Sequence, residues 1–251
     1  MQDFTNYNPN SGTGAVSQTA LSSEAVFFQR IYTWMCLGLA LTAGVAYLMM
    51  NIPAWITFIN TFPYALIGAF AVELGLVFYL SSRINQMTPS TAKAVFLLYS
   101  AVTGLTFSVI LRYYSTPVIA KAFISTAGVY GAMAIYGLVT KRSLKSWGSF
   151  LFMGVVGIII ASLVNLVVYF FTKNASTYLM FDWVICVIGV LVFAGLTAYD
   201  HQKLLYIHNT QLGEASEDTV SRVVIIGALE LYLDFINLFL FLLRIFGNSR
   251  D

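Results

Sequence analysis

Two aspartates lie inside successive apolar segments near the end of this chain, and they constrain it more than any other feature. Asp200 closes a run that begins at Trp183, and Asp234 is embedded between Leu229 and Leu240. An ionised carboxylate at bilayer depth costs ~2.5–3.5 kcal/mol on insertion scales, so such a residue faces a partner or a water-filled cavity. The surrounding composition is 59% hydrophobic and only 10% charged, whereas a soluble domain carries roughly 25% charged residues. The chain therefore reads as a polytopic membrane protein, and its lipid bilayer is its first partner. A net charge of +2 with scattered basic residues excludes a nucleic-acid surface.

Residues 1–24 are polar and lack a cationic stretch before an apolar core, which predicts a disordered tail rather than a signal peptide. A transmembrane domain over 25–251 follows. Its seven apolar stretches, at about 27–50, 62–80, 92–111, 117–139, 148–171, 181–204 and 223–246, are each close to the ~20 residues that cross a bilayer. The fold class is all-α, a seven-helix bundle.

Lys and Arg set the orientation. With a cytosolic amino terminus, Arg30, Arg83, Lys93, Lys141, Arg142, Lys145, Lys203 and Arg222 lie inside. Arg112, Lys121, Lys173, Arg244 and Arg250 then lie outside, and the carboxyl terminus is external. Ala40/Gly44, Ala127/Gly131 and Gly128/Ala132 have the spacing of close helix packing. Cys36 and Cys186 lack any metal-ligand spacing and read as buried reduced thiols.

The remaining intramembrane polar residues are few. Glu230, Asp234 and Asn237 share one face of the seventh span. That span bears the strongest polar face and is expected to contact most of the others. Glu73 sits mid-span on the second, with Arg244 as one candidate partner, and Asn165 on the fifth reads as an interhelical hydrogen bond. Two carboxylates held together cannot both ionise cheaply, so Asp200 and Asp234 read as a proton-sensitive pair. Deprotonated, they offer hard oxygen ligands suited to Ca²⁺. Arg83 is the expected cationic latch, because the second and sixth spans end on the same side. One obstacle is depth: from Trp183, Asp200 is ~26 Å along its helix, near the inner face, while Asp234 lies ~16 Å above the start of the seventh span. The two meet if the sixth helix tilts, begins earlier or continues past Lys203.

Several motifs in order resemble the bacterial branch of the Bax inhibitor-1 (transmembrane Bax inhibitor motif) family. They are Thr103-Gly-Leu-Thr-Phe-Ser, Thr140-Lys-Arg-Ser-Leu, Gly195-Leu-Thr-Ala-Tyr-Asp-His-Gln-Lys, and Leu231-Tyr-Leu-Asp-Phe-Ile-Asn-Leu-Phe followed by Leu242-Leu-Arg-Ile-Phe-Gly. The similarity runs from residue 27 to 248. It implies a bundle with the last helix central in a bacterial inner membrane, and a pH-sensitive calcium leak sensed by Asp200 and Asp234 with Arg83 as latch. His201 stands where the family more often has Thr, adding a group that titrates near neutrality. Glu230 stands where relatives tend to have a small residue, and either joins the site or faces a vestibule.

Three functions stay open. A cation leak gated by the aspartate pair is favoured. An intramembrane aspartyl protease would also use Tyr199-Asp200, but Leu231-Tyr-Leu-Asp234 replaces the Gly-x-Gly-Asp such enzymes carry, so no enzyme and no cofactor is expected. The third is an interaction protein without flux of its own, modulating a membrane-bound protease or a stress or cell-death pathway.

Overall fold

The computed structural model describes residues 11–62 and 64–248. Its elements are α1 (Ser11–Met50), α2 (Pro53–Thr61), α3 (Tyr64–Arg83), a 3₁₀ turn (Ile84–Gln86), α4 (Pro89–Leu111), α5 (Thr116–Val139), α6 (Lys145–Thr172), α7 (Ala175–Gln211) and α8 (Glu217–Asn248). All but α2 and the 3₁₀ turn contain a stretch long and apolar enough to cross a membrane, giving seven candidate spans. The protein is an integral membrane protein.

Local chemistry explains the reversals. Thr88 caps α4 by accepting from the Thr91 N–H at 3.2 Å, with Pro89 in the first turn where no backbone donor is needed. Lys173 ends α6 in the left-handed region at φ 53°. Asn174 then accepts from the Thr177 N–H at 3.1 Å, so α7 starts at once.

Several boundaries differ from the sequence reading, among them the starts of α7 at Ala175 and α8 at Glu217, each six residues early. The first helix begins at Ser11, so residues 11–24 are helical where composition predicts disorder; once the apolar part nucleates a helix, extending it costs little. Residues 1–10 of that predicted tail lie outside the described residues. The uncharged 51–61 connection holds the short helix α2, fastened by Trp55 Nε1 donating to Ser108 Oγ at 2.9 Å. The sixth span continues past Lys203 to Gln211, because Leu204 is 1% exposed and His208 packs on Phe27 and bonds Ser23 at 3.0 Å.

α8 packs against α1, α4, α5 and α7. Of its most apolar stretch 67% is buried, against 11% for the α3 span and 17% for α6, which lie at the periphery. Close approaches fall at unexpected glycines. A Cβ on Gly38 or Gly104 would strike across the α1–α4 seam, and one on Gly137 would strike the Ala198 backbone of α7. Gly44, Gly128 and Gly131 are the packing points that the small-residue spacing suggests, yet a Cβ added at any of them would meet nothing within 4 Å, so they face outward. Cys36 is likewise exposed rather than buried, while Cys186 is buried.

Candidate functional site

α7 continues to Gln211 and α8 begins at Glu217, so Asp200 and Asp234 lie ~16 Å and ~26 Å from those neighbouring helix ends, and the two levels are matched by how the helices pack rather than by equal rise. Asp200 and Lys203 share one face of α7 at a spacing of three, and Glu230 and Asp234 share one face of α8 at a spacing of four. The two faces meet. Lys203 Nζ lies 2.6 Å from Glu230 Oε1 and 3.9 Å from Asp200 Oδ1. Asp200 and Asp234 are close enough to act on each other electrostatically.

Exposure falls along this line. The side chains of Lys203, Glu230 and Asp200 are 35%, 28% and 13% exposed, and Asp234 is 4% exposed with Oδ2 buried and without a hydrogen-bond donor. A hydrogen bond between two carboxyl groups needs a proton on one of them, since a carboxylate only accepts. Three carboxyls here stand around one ammonium, that of Lys203. Beyond Asp234, Leu238 and Leu243 are 0% exposed and Phe239 stacks on Phe107 of α4 at 6.0 Å, so packed side chains close the route along α8.

Of the residues expected around this pair, Glu230 joins it. Arg83 does not: its guanidinium donates to Gln86 Oε1 at 2.9 Å within its own turn. The cation beside Asp200 is Lys203, one helical turn away, and that spacing was visible in the sequence. His201 points elsewhere, because one residue rotates a side chain by about 100° around a helix. It is 0% exposed, with Nδ1 donating to the Thr197 carbonyl at 2.6 Å and Nε2 meeting the Tyr32 hydroxyl at 3.0 Å. Its ring stacks on Phe28 at 6.3 Å and meets Tyr130 edge-on at 5.6 Å, so it joins α1, α5 and α7 instead of standing beside the carboxyls. Asn237 donates to the Leu233 carbonyl of its own helix at 2.8 Å.

Glu73 accepts from the Thr106 hydroxyl of α4 and has no contact with Arg244. Arg244 instead pairs with Asp182 at 3.1 Å, bridging α8 to α7 at the opposite end of the bundle. Asp182, 7% exposed, was missed because it precedes Trp183 at the edge of the apolar run and reads as a boundary residue. Beside this pair, burial pushes the Tyr114 phenol above its ordinary range, partly offset by the Arg244 guanidinium. Arg244→Met strands a buried carboxylate and is expected to cost about 1–3 kcal/mol. A thermal melt in detergent checks this, and combining it with Asp182→Asn should recover part of the loss. Asn165 does make the expected interhelical bond, donating to the Tyr178 carbonyl at 3.1 Å.

Among the described residues no three His, Cys, Asp or Glu side chains are gathered as a metal site. Ca²⁺ takes about 6–8 oxygen ligands, so Asp200 and Asp234 are not a ready-made cage in this conformation.

Seven spans, the last of them largely buried, with an acidic cluster where it meets α7, define a helical-bundle membrane protein with ionisable groups inside its apolar helices. The chain belongs to the Bax inhibitor-1 family: the family sequence profile described as "Inhibitor of apoptosis-promoting Bax1" matches residues 24–251. It is 46% identical over 224 residues to "Inner membrane protein YbhL" of Escherichia coli strain K12, covering 89% of this chain and 92% of that one. A protein of Deinococcus radiodurans is 44% identical over 234 residues, covering 93% and 95%. One from Borreliella burgdorferi is 37% identical over 225 residues, covering 90% and 93%.

Proposed function

We propose that this protein is a pH-sensitive calcium leak pathway of a bacterial inner membrane, with the Asp200–Asp234 pair as its gate. The observation that carries the reading is that the Asp200 face of α7 meets the Asp234 face of α8 around one ammonium, Lys203, which lies 2.6 Å from Glu230 and 3.9 Å from Asp200. With the shared proton in place, the cluster carries one net negative charge: two carboxylates and a neutral acid against Lys203. Losing the proton doubles that charge in a site where Asp234 is 4% exposed. Repulsion then favours separation of α7 from α8 or capture of a cation. Protons and Ca²⁺ thus compete, and flux rises as pH rises through the titration of the pair. The hydroxyls of Tyr130 on α5 and Tyr32 on α1 are engaged elsewhere, with Met35 Sδ at 3.4 Å and His201 Nε2 at 3.0 Å. Calcium is cargo here, bound weakly enough to leave.

The orientation that fits places the end carrying Lys203, Arg222 and the 140–145 loop in the cytosol, with the carboxyl terminus outside. We read the pair as a gate and not as a hydrolytic dyad, because Asp234 is enclosed by packed side chains that leave no room for a peptide. Sequence similarity to a protein described as an inner membrane protein supports the location.

Calcium flux into proteoliposomes across a pH series tests this. The native protein is expected to give flux above empty vesicles that falls on acidification. Absence of flux at every pH would replace the leak with an interaction role, modulating a membrane protease or stress pathway. Within the same assay, Lys203→Met is expected to raise flux and shift its pH profile, while Arg83→Ala leaves the profile in place. The reverse order of effects would return the latch to Arg83.

A further inference from the structure

A second feature lies on the far side of Lys203 from the carboxyls. Where the loop between α5 and α6 folds against the last turns of α7, a cavity of about 390 Å³ opens. Its walls include Lys141, Arg142, Lys145, Lys203, Gln202 and Tyr206, and no carboxylate lines it. Lys141, Arg142 and Lys145 make no ion pair among the described residues. Gathering like charges is unfavourable unless an anion offsets it.

The cradle is held in shape. Gln202 accepts the Leu144 N–H at 2.7 Å and donates to the Arg142 carbonyl at 2.9 Å, using both ends of its amide to fix the loop onto α7. Behind it, a Cβ on Gly148 would fall 2.5 Å from the Tyr199 ring, so α6 and α7 approach closely. Next to the cavity on the first turns of α6, Trp147 and Phe150 are 56% and 63% exposed. These apolar rings at a span end place the cavity at the depth where phospholipid headgroups meet acyl chains.

We infer that this cavity binds the phosphate of an anionic phospholipid, with Lys141, Arg142 and Lys145 as its cationic wall and Lys203 shared with the carboxyl cluster. The lipid is favoured over a free phosphate because Trp147 and Phe150, exposed on the same first turns of α6 as Lys145, offer surface to acyl chains at the level of the cavity. Juxtamembrane Lys and Arg are attracted to anionic leaflets in the same way. A bound phosphate gives the Lys203 ammonium a second acceptor besides Glu230.

Binding is measured without reference to flux, on the full chain purified in neutral detergent. The probes are short-chain phosphatidylglycerol, phosphatidylcholine of the same chain length, and inorganic phosphate. Phosphatidylglycerol is expected to bind tightest. The double variant Lys141→Gln/Arg142→Gln is expected to weaken it about 30-fold, with an unchanged thermal midpoint because both side chains are exposed and unpaired. Lys121→Gln/Lys173→Gln, at the other end of the bundle, should bind as the native chain does. Equal affinity for the two lipids, or native affinity in the Lys141/Arg142 variant, would overturn the site. Inorganic phosphate binding as tightly as phosphatidylglycerol would overturn the lipid assignment.

Discussion

Asp234→Asn is expected to flatten the pH dependence of calcium flux and to stabilise the protein, with the gain growing as pH rises. The amide keeps the shape of the carboxyl and can donate to Asp200 without a shared proton, so the α7–α8 contact survives at every pH. In the native cluster the proton is lost as pH rises, leaving two buried like charges. At an effective dielectric near 20, two unit charges ~4 Å apart repel by about 4 kcal/mol before relaxation. Only the native chain meets this cost. Its thermal midpoint in detergent should therefore fall with rising pH more steeply than that of Asp234→Asn. The expected loss of calcium affinity follows from removing one hard oxygen charge. Parallel melting curves across the pH range, or an unaltered flux profile, would remove the pair from the gating role.

Gly137→Leu is expected to be among the most damaging single substitutions in the chain. An added Cβ at that position would lie 2.3 Å from the Ala198 carbonyl oxygen and 2.9 Å from its Cα. These are backbone atoms inside α7 and cannot swing aside as a side-chain tip can, so the helices must separate. Overpacking of this kind costs typically ~1–3 kcal/mol, and a collision with backbone belongs at the upper end. Ala198 is two residues from Asp200, so displacement there also pulls the carboxyl pair apart. Lower folded yield and a lower thermal midpoint are the expected readouts. Gly131→Ala is the contrast: it meets nothing within 4 Å, and helix propensity alone favours it by up to ~1 kcal/mol. If both variants melt alike, the α5 and α7 backbones do not touch at Gly137.

Hydropathy over ~20 residues is a local property, and the seven spans were legible for that reason, with boundary differences confined to polar ends such as 205–211. That Asp200 and Asp234 lie within long apolar helices was also legible, since a charge in an apolar run demands compensation whatever the fold. The identity of the compensating groups was another matter. Arg83 and Lys203 both lie near helix ends on one side, and sequence position does not say which side chain turns toward Asp200. His201 and Asp200 are neighbours in the chain, yet the helix turn sends one into an aromatic cluster and the other toward α8. Small-residue spacing marked Gly128 and Gly131, but the close approach falls at Gly137, because any glycine permits contact and only the arrangement of neighbouring helices makes it. What the sequence by itself determined was the solvent each segment must have and the presence of two carboxylates within it. Partner choice, Lys203 on Glu230 and Asp200, Arg244 on Asp182, Thr106 on Glu73, was decided by tertiary structure, because helix rotation and depth arise from packing all seven spans at once.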